Sequence, residues 1–104
     1  MRKLMEMMAV RHEFYDRNPG LGATDLHLLE KIAIGEKESI LLTVTNAMHL
    51  NTVASPATIW RCLDKLAKHN YILLKNGSKD TRIKYIFLSQ KGKAYFKKLE
   101  QALA

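Results

Sequence analysis

At 104 residues the chain has the length of one compact domain and is too short for two ordinary ones. An apolar fraction of 47% supports a packed core and argues against wholesale disorder, and a single cysteine, Cys62, excludes an intramolecular disulfide and a cysteine-based zinc site. The net charge of +7 is uneven: residues 1–54 hold six Lys/Arg against seven Asp/Glu, and residues 55–104 hold eleven against three. The basic second half therefore predicts a polyanionic partner, nucleic acid ahead of an anionic membrane.

The opening "MRKLMEMMAV" briefly resembles a secretory leader, but Glu6 interrupts the apolar run and Arg11, His12 and Glu13 end it. No apolar stretch approaches the roughly 20 residues that span a bilayer. The lone cysteine fits a reducing compartment, so the expected location is cytoplasmic, with no membrane partner.

Residues 2–17 read as a helix, because Leu4, Met7, Met8, Arg11, Phe14 and Tyr15 recur at three- and four-residue spacing. Its methionines give an adaptable apolar face for the core or for a partner helix. "NPGLGA" breaks it. Thr24 is the expected N-cap of a second helix over residues 25–34, with Leu26, Leu29, Ile32 and Ala33 inward. "GEKES" reads as a polar connector and residues 40–42 as a short strand. Thr43 or Thr45 then caps a short third helix reaching about residue 50, with Val44, Ala47 and Met48 buried.

Ser55-Pro56 is a strong start signal, with serine at N-cap and proline at N1, where its missing N–H costs nothing. On the following helix Ile59, Leu63, Leu66 and Asn70 share one side, with Cys62 beside them. Ala57, Thr58, Arg61, Asp64, Lys65 and Lys68 lie on the other, and Trp60 falls on the flank. Residues 71–75 and 82–88 read as a hairpin around "NGSKDT". A two-residue turn with positive φ at Asn76-Gly77 competes there with a longer loop ending near Arg82. Ser89 caps a last helix, residues 90–103, with Tyr95, Leu99, Ala102 and Leu103 as its stripe.

The order is helix, helix, short strand, helix, turn, helix, hairpin, helix. That is a mainly α fold with a small β wing, a winged helix-turn-helix. A capped helix that turns its polar side outward suits the DNA major groove, about 12 Å wide, and a basic hairpin beside it reaches phosphates or the minor groove.

"SPATIWRCLDKL" and "KDTRIKYIFLSQKG" resemble the MarR-type winged helix-turn-helix transcription regulators. The likeness spans about residues 24–96. Ser55, Thr58, Ile59, Arg61, Leu63, Asp64, Lys65 and Leu66 occupy the recognition-helix pattern. Asp80 and Arg82 occupy the wing's Asp-x-Arg, and Leu88, Ser89 and Gly92 the start of the next helix, with serine for the usual threonine. The resemblance implies a homodimer on palindromic duplex DNA. In many members, repression is relieved by a small-molecule effector. It also implies that Arg82 enters the minor groove with Asp80 orienting it; the bland reading is a local ion pair in the hairpin. Two features depart from the pattern: Trp60 replaces a small polar residue, and no second long C-terminal helix follows Leu103.

The expected DNA-binding residues are Ser55, Ala57, Thr58, Arg61, Lys65, Lys68, Lys75, Lys79, Arg82 and Lys84. Ser55 is first a cap and then a phosphate contact. Ala57 and Thr58 sit where base edges and thymine methyls are met. Arg61 reads a base or a phosphate, unless it pairs with Asp64. Lys65 and Lys68 contact backbone or merely solvate the face. Trp60 is expected to pack under the wing or last helix, a groove contact being the sharper reading. Leu4, Met7, Met8, Phe14, Tyr15, Leu99 and Leu103 are the expected dimerisation residues. A single domain over 1–104 follows, with a dimerisation helix at 1–17, a DNA-binding core at 24–88 and a C-terminal helix at 89–104.

The four histidines lack metal-ligand spacing, and no phosphate loop, catalytic triad or dinucleotide fingerprint occurs. No cofactor and no enzymatic activity are expected. Two other functions fit the same map: a protein-interaction adaptor working through the first helix, and an RNA-binding or replication-associated winged helix.

Overall fold

The computed structural model describes all residues 1–104. Five helices and one hairpin follow in the order α1 (Arg2–Arg17), α2 (Ala23–Lys37), α3 (Val44–Met48), α4 (Pro56–Lys68), β1 (Ile72–Asn76), β2 (Lys84–Leu88) and α5 (Gln90–Leu103). The strands pair antiparallel, from Ile72 opposite Leu88 to Asn76 opposite Lys84.

Local chemistry accounts for most boundaries. Ser55 Oγ accepts the Thr58 N–H, Thr43 Oγ1 the Asn46 N–H and Ser89 Oγ the Gly92 N–H, so each of these helices starts on a side-chain cap. α4 ends in a two-bond reversal. Tyr71 N–H donates to Leu66 O, Asn70 N–H donates to Ala67 O, and Asn70 takes a left-handed φ of 66°. Asn70 thus belongs to the exposed turn rather than the inward stripe of α4. Gly92 allows α5 to lie against the start of the hairpin, since a Cβ there would stand 2.5 Å from Tyr71 O.

α2 differs from expectation at both ends. Its N-cap is Gly22, not Thr24, because the Asp25 carboxylate folds back to accept the Gly22 N–H at 2.8 Å. The helix also runs through most of "GEKES" to Lys37. It then closes by the same reversal as α4, with Ser39 at φ 60°. The expected strand at 40–42 is reduced to one bridge between Thr43 and Tyr85, with Ile86 N–H donating to Leu42 O. α3 stops at Met48, short of residue 50.

In the hairpin the longer loop wins. Neither Asn76 nor Gly77 has positive φ, and Gly77 N–H bonds Ile83 O instead. The glycine is needed for space: a Cβ at Gly77 would lie 2.7 Å from Asp80 O. Strand alternation holds, and Ile86 and Leu88 form the core-facing row while Ile83 stays exposed.

One core joins all the helices to the hairpin. Leu26, Leu28, Leu29 and Ile32 of α2 pack with Ile59, Leu63 and Leu66 of α4 and with Ile72 and Ile86 of the strands. Phe14 lies 5.0 Å from Tyr71 and 4.9 Å from Tyr95, ring to ring, which locks α1 and α5 onto the winged part. Phe14 is only 3% exposed, so it is a core residue and not a dimerisation contact as expected from its helical spacing. No helix is long and apolar enough to cross a membrane.

Candidate nucleic-acid interface

α4 presents Ala57, Trp60, Arg61 and Lys68 to solvent, with Asp64 half-buried among them. Ser55 Oγ donates to Thr58 Oγ1 at 3.0 Å, and an Arg61 Nη–H donates to the same oxygen at 3.3 Å. This relay steadies the guanidinium along the first turns of the helix. Asp64, the expected competitor for Arg61, binds Lys68 Nζ at 2.8 Å one turn later. No carboxylate holds Arg61.

Lys65 does not face outward as expected. Its ammonium reaches across to α2 and meets Asp25 Oδ2 at 2.9 Å. Asp25 is almost wholly buried and needs that charge, because its only other bond on that oxygen is the Gly22 N–H. The same carboxylate faces the Cys62 thiol. Burial first, then Asp25, pushes that thiol up to about 11, so Cys62 remains a protonated core residue.

Trp60 also departs from expectation. It is 53% exposed and so is not packed away under the wing or last helix.

The wing loop runs from Gly77 to Ile83. Asp80 grips Arg82 three times: Oδ1 accepts the Arg82 backbone N–H and Nε–H, and Oδ2 accepts an Nη–H, all at 3.0 Å. The guanidinium nevertheless projects outward, with 89% of its side chain exposed. Arg82 holds the Asp80 carboxyl below its usual range, and Asp80 raises the arginine in turn. Lys79 and Lys84 are exposed, and Lys75 Nζ lies 5.5 Å over the Phe87 ring.

Residues that the sequence marks only as a helix cap, or not at all, complete this side. Thr43, Thr45 and Asn46 at the start of α3 face Arg82 and Lys84 across a cleft of about 450 Å³. Nothing in their local pattern marks them beyond the cap. A second cleft, about 320 Å³, lies between α1 and α5 beside Asn18, Tyr71 and Tyr95. The Tyr95 hydroxyl finds no partner there, and burial pushes it up to about 12.

No family model and no curated protein matches the sequence. Solved structures do match. Transcriptional regulator Tm0710 from Thermotoga maritima superposes with a TM-score of 0.72 at 16% identity, over 95% of this chain and 63% of that one. The fold is the winged helix of the MarR-type regulators. YusO protein from Bacillus subtilis gives 0.64 at 18% identity, over 97% of this chain and 64% of its own. The adhesin competence repressor AdcR from Streptococcus pyogenes gives 0.61 at 18%, over 95% and 69%. The chain thus spans under two thirds of the length of the first two. In this winged-helix fold α4 is the helix that follows the turn after α3, and the hairpin is the wing.

Proposed function

We propose that this protein is a sequence-selective duplex-DNA-binding transcription regulator acting as a homodimer. α4 lies in the major groove, and the loop Gly77–Ile83 lies on the backbone and minor groove. The observation that carries this reading is the pair of arginines on the two elements. Arg61 stands free of any carboxylate, and Arg82 is aimed outward by Asp80 with donors to spare. A fixed, exposed guanidinium matches phosphate and the acceptor edge of guanine. Lys68, Lys75, Lys79 and Lys84 add charge around them, so counterion release supplies much of the affinity. Exposed Leu4, Met5 and Met8 on α1 and Leu103 on α5 offer the apolar surface for a second copy.

The test is binding to a labelled random-sequence duplex across a salt series. Parent protein binds tightly at low salt and loses affinity steeply as salt rises. Arg61→Ala and Arg82→Ala each weaken binding and each flatten the salt slope by about one phosphate contact. Absence of binding at low salt sinks the reading and leaves the adaptor function. Preference for duplex RNA over DNA under the same conditions redirects it to RNA.

A further inference from the structure

A tryptophan on the exposed side of a recognition-type helix needs a physical account. Single exposed apolar residues are ordinary on protein surfaces. Trp60 differs in its company. It follows Ala57 by three residues, which puts it on the same side of α4 one turn later. It adjoins Arg61, the cation with no carboxylate partner, and precedes Asp64 by four residues, whose charge Lys68 already takes. The indole therefore lies on the flank of the outward side, beside Ala57 and Asp64 and next in the chain to Arg61, 53% exposed and with no aromatic ring stacked on it. It is the largest apolar side chain that the outward side of α4 carries.

We infer that Trp60 is a specificity residue that reads thymine by packing its indole edge on the C5-methyl group in the major groove. This rests on the DNA-binding reading above. In an intact duplex the base faces are stacked on each other, so an inserted helix meets only base edges. Those edges offer hydrogen-bonding groups and a single apolar feature, the thymine methyl. A rigid indole that cannot stack gains by covering that methyl and loses when set against the polar edge of a G·C pair. The base beside it then faces Arg61, whose donors match guanine. The half-site preferred by this protein accordingly carries a thymine next to the base read by Arg61.

The experiment begins with enrichment of preferred duplexes from a random pool by the parent protein. Each thymine of the preferred site is then replaced by uracil, which removes only the methyl. Parent protein loses about fourfold in affinity at one thymine per half-site, the value of one buried methyl. Trp60→Ala loses a similar factor on the thymine duplex and no longer distinguishes thymine from uracil at that position, whereas Trp60→Phe keeps part of the discrimination. Trp60 is the sole tryptophan, so emission reports this residue alone, and it shifts to shorter wavelength when the site is filled. Melting temperatures of both variants match the parent, since the side chain lies off the core.

Two results overturn the inference differently. Selective DNA binding that depends on Arg61 but shows no uracil effect coupled to Trp60 and no change in emission removes the role of Trp60 alone. Failure of the parent to bind duplex DNA removes both readings together.

Discussion

Lys65 Nζ stands 2.9 Å from Asp25 Oδ2 and so ties the last turn of α4 to the first turn of α2, across 40 residues of chain. The lysine is the main neutralising partner of a buried carboxylate. Lys65→Met strands that charge and destabilises the protein by about 1–3 kcal/mol, read from a urea melt. Adding Asp25→Asn recovers part of the loss, because an amide oxygen still accepts the Gly22 N–H. Salt slopes separate this structural lysine from the proposed DNA contacts. Folded Lys65→Met keeps the parent slope, while Arg61→Ala loses about one phosphate contact.

The Asp80–Arg82 pair makes a prediction about acid. Its carboxyl titrates below the ordinary aspartate range, about 3.9, because Arg82 holds the charged form. A depressed folded value means that the pair's contribution is full above the unfolded pKa. It is lost as pH falls through the folded value. Carboxyl NMR shifts at Asp80 should show a midpoint below 3.9 (the usual value, about) in the parent, returning to it in Arg82→Ala. A parent midpoint at or above the ordinary value contradicts the geometry of the wing.

Ser39 holds a left-handed φ of 60° at the end of α2, a conformation that costs a side-chain-bearing residue about 1–2 kcal/mol. Glycine removes that strain but gains freedom in the unfolded chain, which offsets about 0.4–1 kcal/mol. Ser39→Gly should therefore stabilise by roughly 0.5–1 kcal/mol and raise the melting temperature by about 2–8 °C. An unchanged or lower melting temperature contradicts the strain at this turn.

Gly92 works in the opposite sense. Alanine is the better helix former, yet its Cβ would press on the backbone oxygen of Tyr71. Gly92→Ala should destabilise by about 1–3 kcal/mol in chemical denaturation. Stabilisation would mean that α5 and the start of β1 are less closely packed than their geometry indicates.

The proposed dimer is open to a direct measurement. Leu4→Ser with Met8→Ser should move a light-scattering mass from twice to once the chain mass while leaving the melting profile of the protomer largely intact, because both side chains are exposed. Phe14→Ala, by contrast, should lower stability by about 3–5 kcal/mol whatever the oligomeric state.

How much of this was legible in the sequence follows from how far each signal reaches. Ser55-Pro56 and Ser89 act within one helical turn, so the starts of α4 and α5 could be read from neighbours in the chain, whereas Thr43 and Thr45 were equal candidates for the start of α3. The bounds of α1 and the apolar row Ile59, Leu63, Leu66 follow from 3.6-residue periodicity, which is equally local. The Asp80–Arg82 grip spans two residues, and so its residues could be singled out in advance.

Other outcomes depended on how the helices dock. Lys65 and Phe14 have the right spacing for an outward cation and an exposed apolar contact. Tertiary packing gave Lys65 a buried carboxylate and Phe14 two aromatic neighbours. Asp25, rather than Thr24, set the start of α2 by reaching back to Gly22. Trp60 lay on a helix flank, where periodicity is neutral between cover and exposure, and only the packed fold left it 53% exposed. The sequence by itself determined the succession of five helices and the hairpin, the caps of α4 and α5, and the basic half. Tertiary structure decided which charges are spent inside the protein and which remain for a partner, because a side chain's distant neighbours exist only once the helices have packed.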